Sequence, residues 1–160
     1  GYAFEGEMKL GVIYDPSRKE LFSAQLGCEA ALNGQPIRVS NRRGLIECLL
    51  GTGFPDDADQ PYGDNIANFV YLNQAAQAVR RFGSSALALA YLAAGRLDGY
   101  WDIGTQQWDI AAASLIVREA GGVVTDIYGG QEYLKNPPSI IAGSPNIHEE
   151  ILVGIQSVMG

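Results

Sequence analysis

The chain has 160 residues, 47% of them apolar, and a net charge of −7 from eighteen acidic against eleven basic side chains. That length suits one domain, or one and a part, with enough apolar residues to bury a real core. The charge excludes a sequence-independent nucleic-acid binder, which needs clustered Lys and Arg to displace counterions from phosphates; only Arg42-Arg43 and Arg80-Arg81 stand in pairs. The longest apolar run, Ala86 to Ala94, is broken by Tyr91 and falls well short of the roughly 18 residues that cross a bilayer, so no membrane partner is expected.

The predicted elements begin with a hairpin. Met8 to Tyr14 and Leu21 to Gln25 are rich in strand formers, and Asp15-Pro16-Ser17-Arg18 between them supplies turn chemistry. Ala31 to Val39 carries a second turn signal at Asn33-Gly34, so the first forty residues read as an antiparallel meander. Leu45 to Leu50 reads as a buried strand, and the acidic stretch Asp56 to Asp64 as a surface loop. Ile66, Phe69, Val70, Asn73 and Ala76 fall at helical spacing, before a short strand at Val79 to Phe82. Ser84 to Ala94 is a helix, capped by Ser84 or Ser85 and stopped by Gly95. Leu97 to Ile103 is a strand and Trp108 to Ala120 the next helix, closed by Gly121-Gly122. Strands at Val123 to Ile127 and Ser139 to Ala142 precede a terminal helix, Ile147 to Met159. Strands alternating with helices after residue 45 predict a layered α/β sandwich with a mixed sheet, preceded by antiparallel β hairpins. The expected division is a β-hairpin region, 1–44, and an α/β region, 45–160.

Gly51-Thr52-Gly53 lacks the third glycine of a dinucleotide fingerprint, and Pro55-Asp56-Asp57 stands where a phosphate-facing helix would begin. His148, the single histidine, is expected as a solvated residue at a helix start beside Glu149 and Glu150. Cys28 and Cys48 make neither a disulfide framework nor a CxxC metal site, and with no secretory signal a reducing cytoplasm is expected. The carboxylates Asp98, Asp102 and Asp109 lie around one strand and the turn into a helix. Asp109 falls in the first helical turn, where the helix dipole favours negative charge. A hard cation such as Mg²⁺ takes carboxylate oxygens, but one carboxylate does not complete such a site.

The run Trp108-Asp109-Ile110-Ala111-Ala112-Ala113 through Glu119-Ala120-Gly121-Gly122 resembles the second signature of the inositol monophosphatase family. Arg81-Phe82-Gly83-Ser84-Ser85, Ala94-Gly95-Arg96-Leu97-Asp98-Gly99-Tyr100, Thr52-Gly53-Phe54-Pro55 and Gly11-Val12-Ile13-Tyr14-Asp15-Pro16 are similar to other stretches of the family, in its order. The resemblance implies Mg²⁺-dependent hydrolysis of a small phosphorylated polyol or sugar. It implies that Asp109 is a catalytic Mg²⁺ ligand, and that Gly83, Ser84 and Ser85 lie at the substrate. Asp102 falls where many members carry a glutamate that binds substrate hydroxyls; a plain strand-end carboxylate stays open for it, as a helix N-cap does for Ser84 and Ser85. The family's first signature, an Asp-Pro-x-Asp-Gly-Thr run with an upstream glutamate, is absent, and Asp15-Pro16-Ser17-Arg18 does not replace it. The chain is therefore expected to be the C-terminal portion of such an enzyme, inactive alone. Exposed edges would make it associate, in keeping with a homodimer, and the alternative function is a non-catalytic dimerisation or regulatory module.

Overall fold

In the computed structural model, which describes residues 1–55 and 65–159, two five-stranded sheets are separated by a layer of helix. The expected acidic loop at 56–64 lies outside the described residues. The first sheet is an antiparallel meander of β1 (Tyr2–Phe4), β2 (Glu7–Asp15), β3 (Glu20–Gln25), β4 (Ala31–Leu32) and β5 (Gln35–Pro36). Asp15 sets the β2–β3 turn by accepting the Ser17 N–H at 2.9 Å. Strand β1 was not anticipated. It returns through Glu5-Gly6, both at positive φ, a two-residue turn whose glycine was its sequence signal.

The second sheet is mixed, in the order β7-β6-β8-β10-β9. It contains β6 (Leu49–Thr52), β7 (Ala78–Arg80), β8 (Gly99–Ile103), β9 (Val123–Thr125) and β10 (Ser139–Gly143). β6 runs parallel to β7 and β8, while β10 is antiparallel to β8 and β9. The strand expected at Leu45 to Leu50 starts late, because Leu45–Glu47 forms a 3-10 turn closed by the Cys48 N–H on Leu45 O at 2.8 Å. The one expected at Val123 to Ile127 ends early, because the Asp126 carboxylate accepts the Tyr128 and Gly130 N–H groups and turns the chain.

Helices α2 (Ser85–Ala93) and α3 (Gln107–Glu119) lie between the sheets, and α1 (Ile66–Ala75) and α4 (Pro145–Met159) cover the outer face of the second. The patterning dictates this division. α2 is Leu- and Ala-rich on all sides, as a helix buried on two faces must be, whereas α4 buries Ile147, Ile151 and Ile155 in one stripe. Strand alternation assigns side chains to layers: Tyr100 and Ile140 join the core around α2 and α3, while Trp101, Ile103 and Ile141 join the core under α1 and α4.

His148 is not solvated. It is buried on α4, its Nε2 lying 2.8 Å from Thr125 Oγ1 at the end of β9. The helix starts at Pro145, two residues earlier than expected, and this turns the histidine inward. Among the described residues, no helix is long and apolar enough to cross a membrane.

Candidate active site

The carboxyl ends of parallel strands are where α/β sheets bind ligands, because helix N-termini and loops converge there. Here β6 delivers Thr52 and Gly53, β7 leads into Arg81, and β8 ends at Asp102. The N-termini of α2 and α3 face the same opening. The result is a cleft of about 160 Å³ lined by Gly83, Ser84, Ser85, Asp102 and Asp109, together with Thr52, Gly53, Phe54, Arg81, Tyr100 and Thr105. The structure thus brings Gly83, Ser84, Ser85, Asp102 and Asp109 into one place. The third carboxylate, Asp98, is elsewhere: it accepts the Leu49 N–H at 2.7 Å and returns its own N–H to Leu49 O at 3.0 Å, clamping the start of β6.

Asp102 is almost wholly buried, at 4% exposure. Two residues away on the same face of β8, Tyr100 donates its hydroxyl to Asp102 Oδ2 at 2.8 Å, and Ser85 Oγ donates to the same oxygen at 2.8 Å. Burial raises the Asp102 carboxyl above the ordinary carboxylate value, and the nearby Asp109 charge adds to this; the Tyr100, Ser85 and Ile103 N–H bonds oppose it. Burial and the Asp102 charge push the Tyr100 phenol well up, so it stays a proton donor. Gly53 is required here by space: a Cβ on it would lie 2.2 Å from Asp102 Oδ2. Asn65 fixes the Gly53 turn, donating to Gly53 O at 2.6 Å and Thr52 Oγ1 at 3.1 Å and accepting from Trp101 Nε1 at 2.8 Å.

The Gly83-Ser84-Ser85 turn is held by Gly83 at φ +79° and by Ser84, whose hydroxyl caps α2 by accepting the Leu87 N–H at 3.3 Å. Asp109 is half-buried in the first turn of α3. Its carboxylate accepts no hydrogen bond from the described residues. The helix behind it is rigidly seated. A Cβ on Gly11 would lie 2.5 Å from Ala112 O, so the first sheet and the small residues of α3 are in direct backbone contact.

Tyr100, Asn65, Phe54 and Arg81 received no role from the sequence. Tyr100 had a signal, its two-residue spacing from Asp102 on one strand. Asn65 had none, since the partners that tie it to the cleft, Thr52, Gly53 and Trp101, lie at least twelve positions away.

An unengaged, half-buried carboxylate at a cleft wall fits a hard cation as one oxygen ligand. The described residues contain no group of three or more His, Cys, Asp or Glu that could hold a metal among themselves.

A mixed sheet between helices, with a polar cleft at its parallel strand ends, defines an α/β protein. The sequence matches the profile of the inositol monophosphatase family over residues 1–159, and the chain belongs to that family. It is 46% identical to the Nus factor SuhB of Pasteurella multocida over 95% of this chain and 57% of that protein. It is 40% identical to the inositol-1-monophosphatase of Mesorhizobium japonicum, again over 95% of this chain and 57% of the relative. Among solved structures, the extragenic suppressor protein suhB of Bartonella henselae superposes with a TM-score of 0.89 at 40% identity, covering 95% of this chain and 58% of that one. The chain therefore spans somewhat more than half the length of the relatives it matches.

Proposed function

We propose that this chain carries the alcohol-recognising wall and one Mg²⁺ ligand of a phosphomonoesterase acting on a small polyol or sugar phosphate. The observation that supports this is the convergence of Asp109, Asp102 and the Gly83–Ser85 turn on one cleft from three separate elements. Bound Mg²⁺ supplies charge neutralisation on the phosphate and a water of lowered pKa. Asp109 holds the ion as one of its oxygen ligands, on a helix fixed against the first sheet. The Gly83–Ser85 turn and Asp102 orient the leaving alcohol. Arg81, whose guanidinium lies 5.4 Å from the Phe54 ring centroid, adds positive charge at the rim. The enzyme works in the cytoplasm as a homodimer, and the isolated chain, with Asp109 as the one metal-facing carboxylate among the described residues of the cleft, does not turn over.

The test is inorganic phosphate release by the natural full-length protein from inositol, histidinol and fructose phosphates, with Mg²⁺ and with chelator. Mg²⁺-dependent release from at least one is expected, and no release from any would refute the reading.

A second reading, a non-catalytic interaction module, is favoured by one feature. Leu10, Val12, Tyr14 and Leu21 expose a continuous apolar face on the first sheet, Tyr14 and Leu21 lying directly opposite one another across β2 and β3. It calls for the reverse outcome in the same assay, together with a defined oligomer by sedimentation.

A further inference from the structure

Two phenylalanines line the cleft, and their rings are engaged differently. Phe54 is half-buried, with the Phe69 ring centroid 5.7 Å from its own and the Arg81 guanidinium 5.4 Å away. Phe82, the residue before the Gly83 turn, stays 43% exposed. Among the described residues its one ring partner is Tyr91, at 6.5 Å between centroids and an interplanar angle of 79°. An edge-to-face pair occupies at most one face of either ring, so at least one face of Phe82 is left open. Tyr91 is itself held firmly. Its hydroxyl donates to the buried Asp15 Oδ2 at 3.1 Å, and its ring packs edge-on with Phe22 at 6.0 Å. The Arg96 guanidinium lies 5.1 Å from the Tyr91 ring centroid and donates to both Glu20 carboxylate oxygens, at 2.8 and 2.6 Å. Phe82 is thus an exposed ring on a rigid seat, in the wall of a cleft lined mostly by polar side chains.

Polar groups bind a polyol through its hydroxyls and gain nothing from the C–H face of a ring. An aromatic face does, because its negative quadrupole attracts the C–H edge and its flat surface takes the apolar area out of water. We propose that Phe82 is a specificity-determining residue, whose open face receives the flat face of a ring in the leaving alcohol and so favours cyclic over open-chain phosphate esters. This inference rests on the phosphatase reading and narrows its substrate class. The contact uses no hydroxyl and no metal ion, only the meeting of two faces.

The experiment measures kcat/KM of the full-length protein with Mg²⁺ on a cyclic ester, inositol 1-phosphate, and an open-chain one, glycerol 2-phosphate. Phe82→Ala should lower the ratio of cyclic to open-chain kcat/KM about 3- to 10-fold, the usual worth of one aromatic contact, mainly through KM for the cyclic ester. Phe82→Leu keeps the apolar bulk, which guards against a loss of fold, and should lower the ratio in the same direction. Phe82→Tyr keeps the ring and should hold the wild-type ratio. Equal loss on both esters in Phe82→Ala marks a purely structural role and overturns the proposal. A wild-type ratio in Phe82→Leu shows that bulk suffices without an aromatic face, and overturns it too. So does a Phe82→Tyr ratio as low as that of Phe82→Ala. Failure of the wild type on both esters, and on the wider substrate panel, overturns the phosphatase reading, and this inference with it. Turnover with a ratio that no variant moves overturns this inference alone.

Discussion

The two sheets of the molecule are enclosed to different degrees. In the second, every residue of β8 and β10 is buried, with α2 and α3 on one face and α1 and α4 on the other. In the first, β2 alternates inward Gly11, Ile13 and Asp15 with outward Leu10, Val12 and Tyr14, and the outward residues are apolar as well. A sheet with one wet face ordinarily shows polar residues on it. The second sheet thus carries the cleft on a fully supported frame, while the first acts as a platform whose inner surface steadies α3 and whose outer surface asks for a cover. The difference separates what the chain can specify alone, the geometry of one wall of the site, from what its relatives' greater length would add.

The sharpest way to test that division is to strike the cleft without touching the frame. Asp109→Asn should cut Mg²⁺-dependent turnover of the full-length protein by about 100-fold or more, as its proposed role as a ligand of the ion requires. The melting temperature should barely move, since a half-buried first-turn carboxylate contributes only about 0.3–1 kcal/mol through the helix dipole. The opposite strike is Gly11→Ala, which places a Cβ against the Ala112 backbone carbonyl. Overpacking of this kind costs about 1–3 kcal/mol. A denaturation midpoint equal to wild type would show that the sheet and α3 are less tightly seated than their backbones indicate.

The open face is tested by paired polar substitutions, Val12→Thr with Tyr14→Thr. If nothing covers it, stability should change by no more than about 0.5 kcal/mol, as for other surface positions, while self-association of the isolated chain should fall in light scattering. In the full-length protein the same pair should destabilise measurably, because there the face is expected to be covered. Identical results in both would erase the contrast between the sheets.

The smallest effect concerns His148. Burial lowers its pKa from the ordinary 6.5, with Glu149 opposing. The sign follows from linkage: the unfolded chain takes up the proton first, so this stabilisation is fully present above about pH 6.5 and is lost as pH falls through the lower folded value. Melting temperatures between pH 8 and pH 5 should therefore fall less in His148→Gln than in the wild type.

Much of this arrangement was legible in the residues. The order of strands and helices followed from turn chemistry at Asp15-Pro16, Asn33-Gly34, Gly95 and Gly121-Gly122, which local physics fixes. The α2 cap was readable for the same reason, since Ser84 satisfies an N–H three residues away. What escaped was set by distant partners. Leu45–Glu47 looks like a strand by composition, yet its first N–H is taken by the Glu150 carboxylate on α4 at 3.1 Å, and the segment coils. His148 looks like a surface residue until β9 brings Thr125 beneath it. At the cleft, the carboxylates and serines were visible, but the meeting of the Tyr100 and Ser85 hydroxyls on one Asp102 oxygen was not, because it depends on how β8 and α2 pack.

Helix α3 gives the contact between the sheets a further meaning. Its first turn presents Asp109, and its far end is gripped by the first sheet: Glu119 accepts the Gly27 and Ala30 N–H groups, and Ala120 O that of Val39. Thirteen residues at 1.5 Å each make a rod of about 20 Å. Held at its far end and braced at Ala112, three residues from Asp109, the rod has little freedom to tilt, so the first sheet sets where the carboxylate stands in the cleft wall.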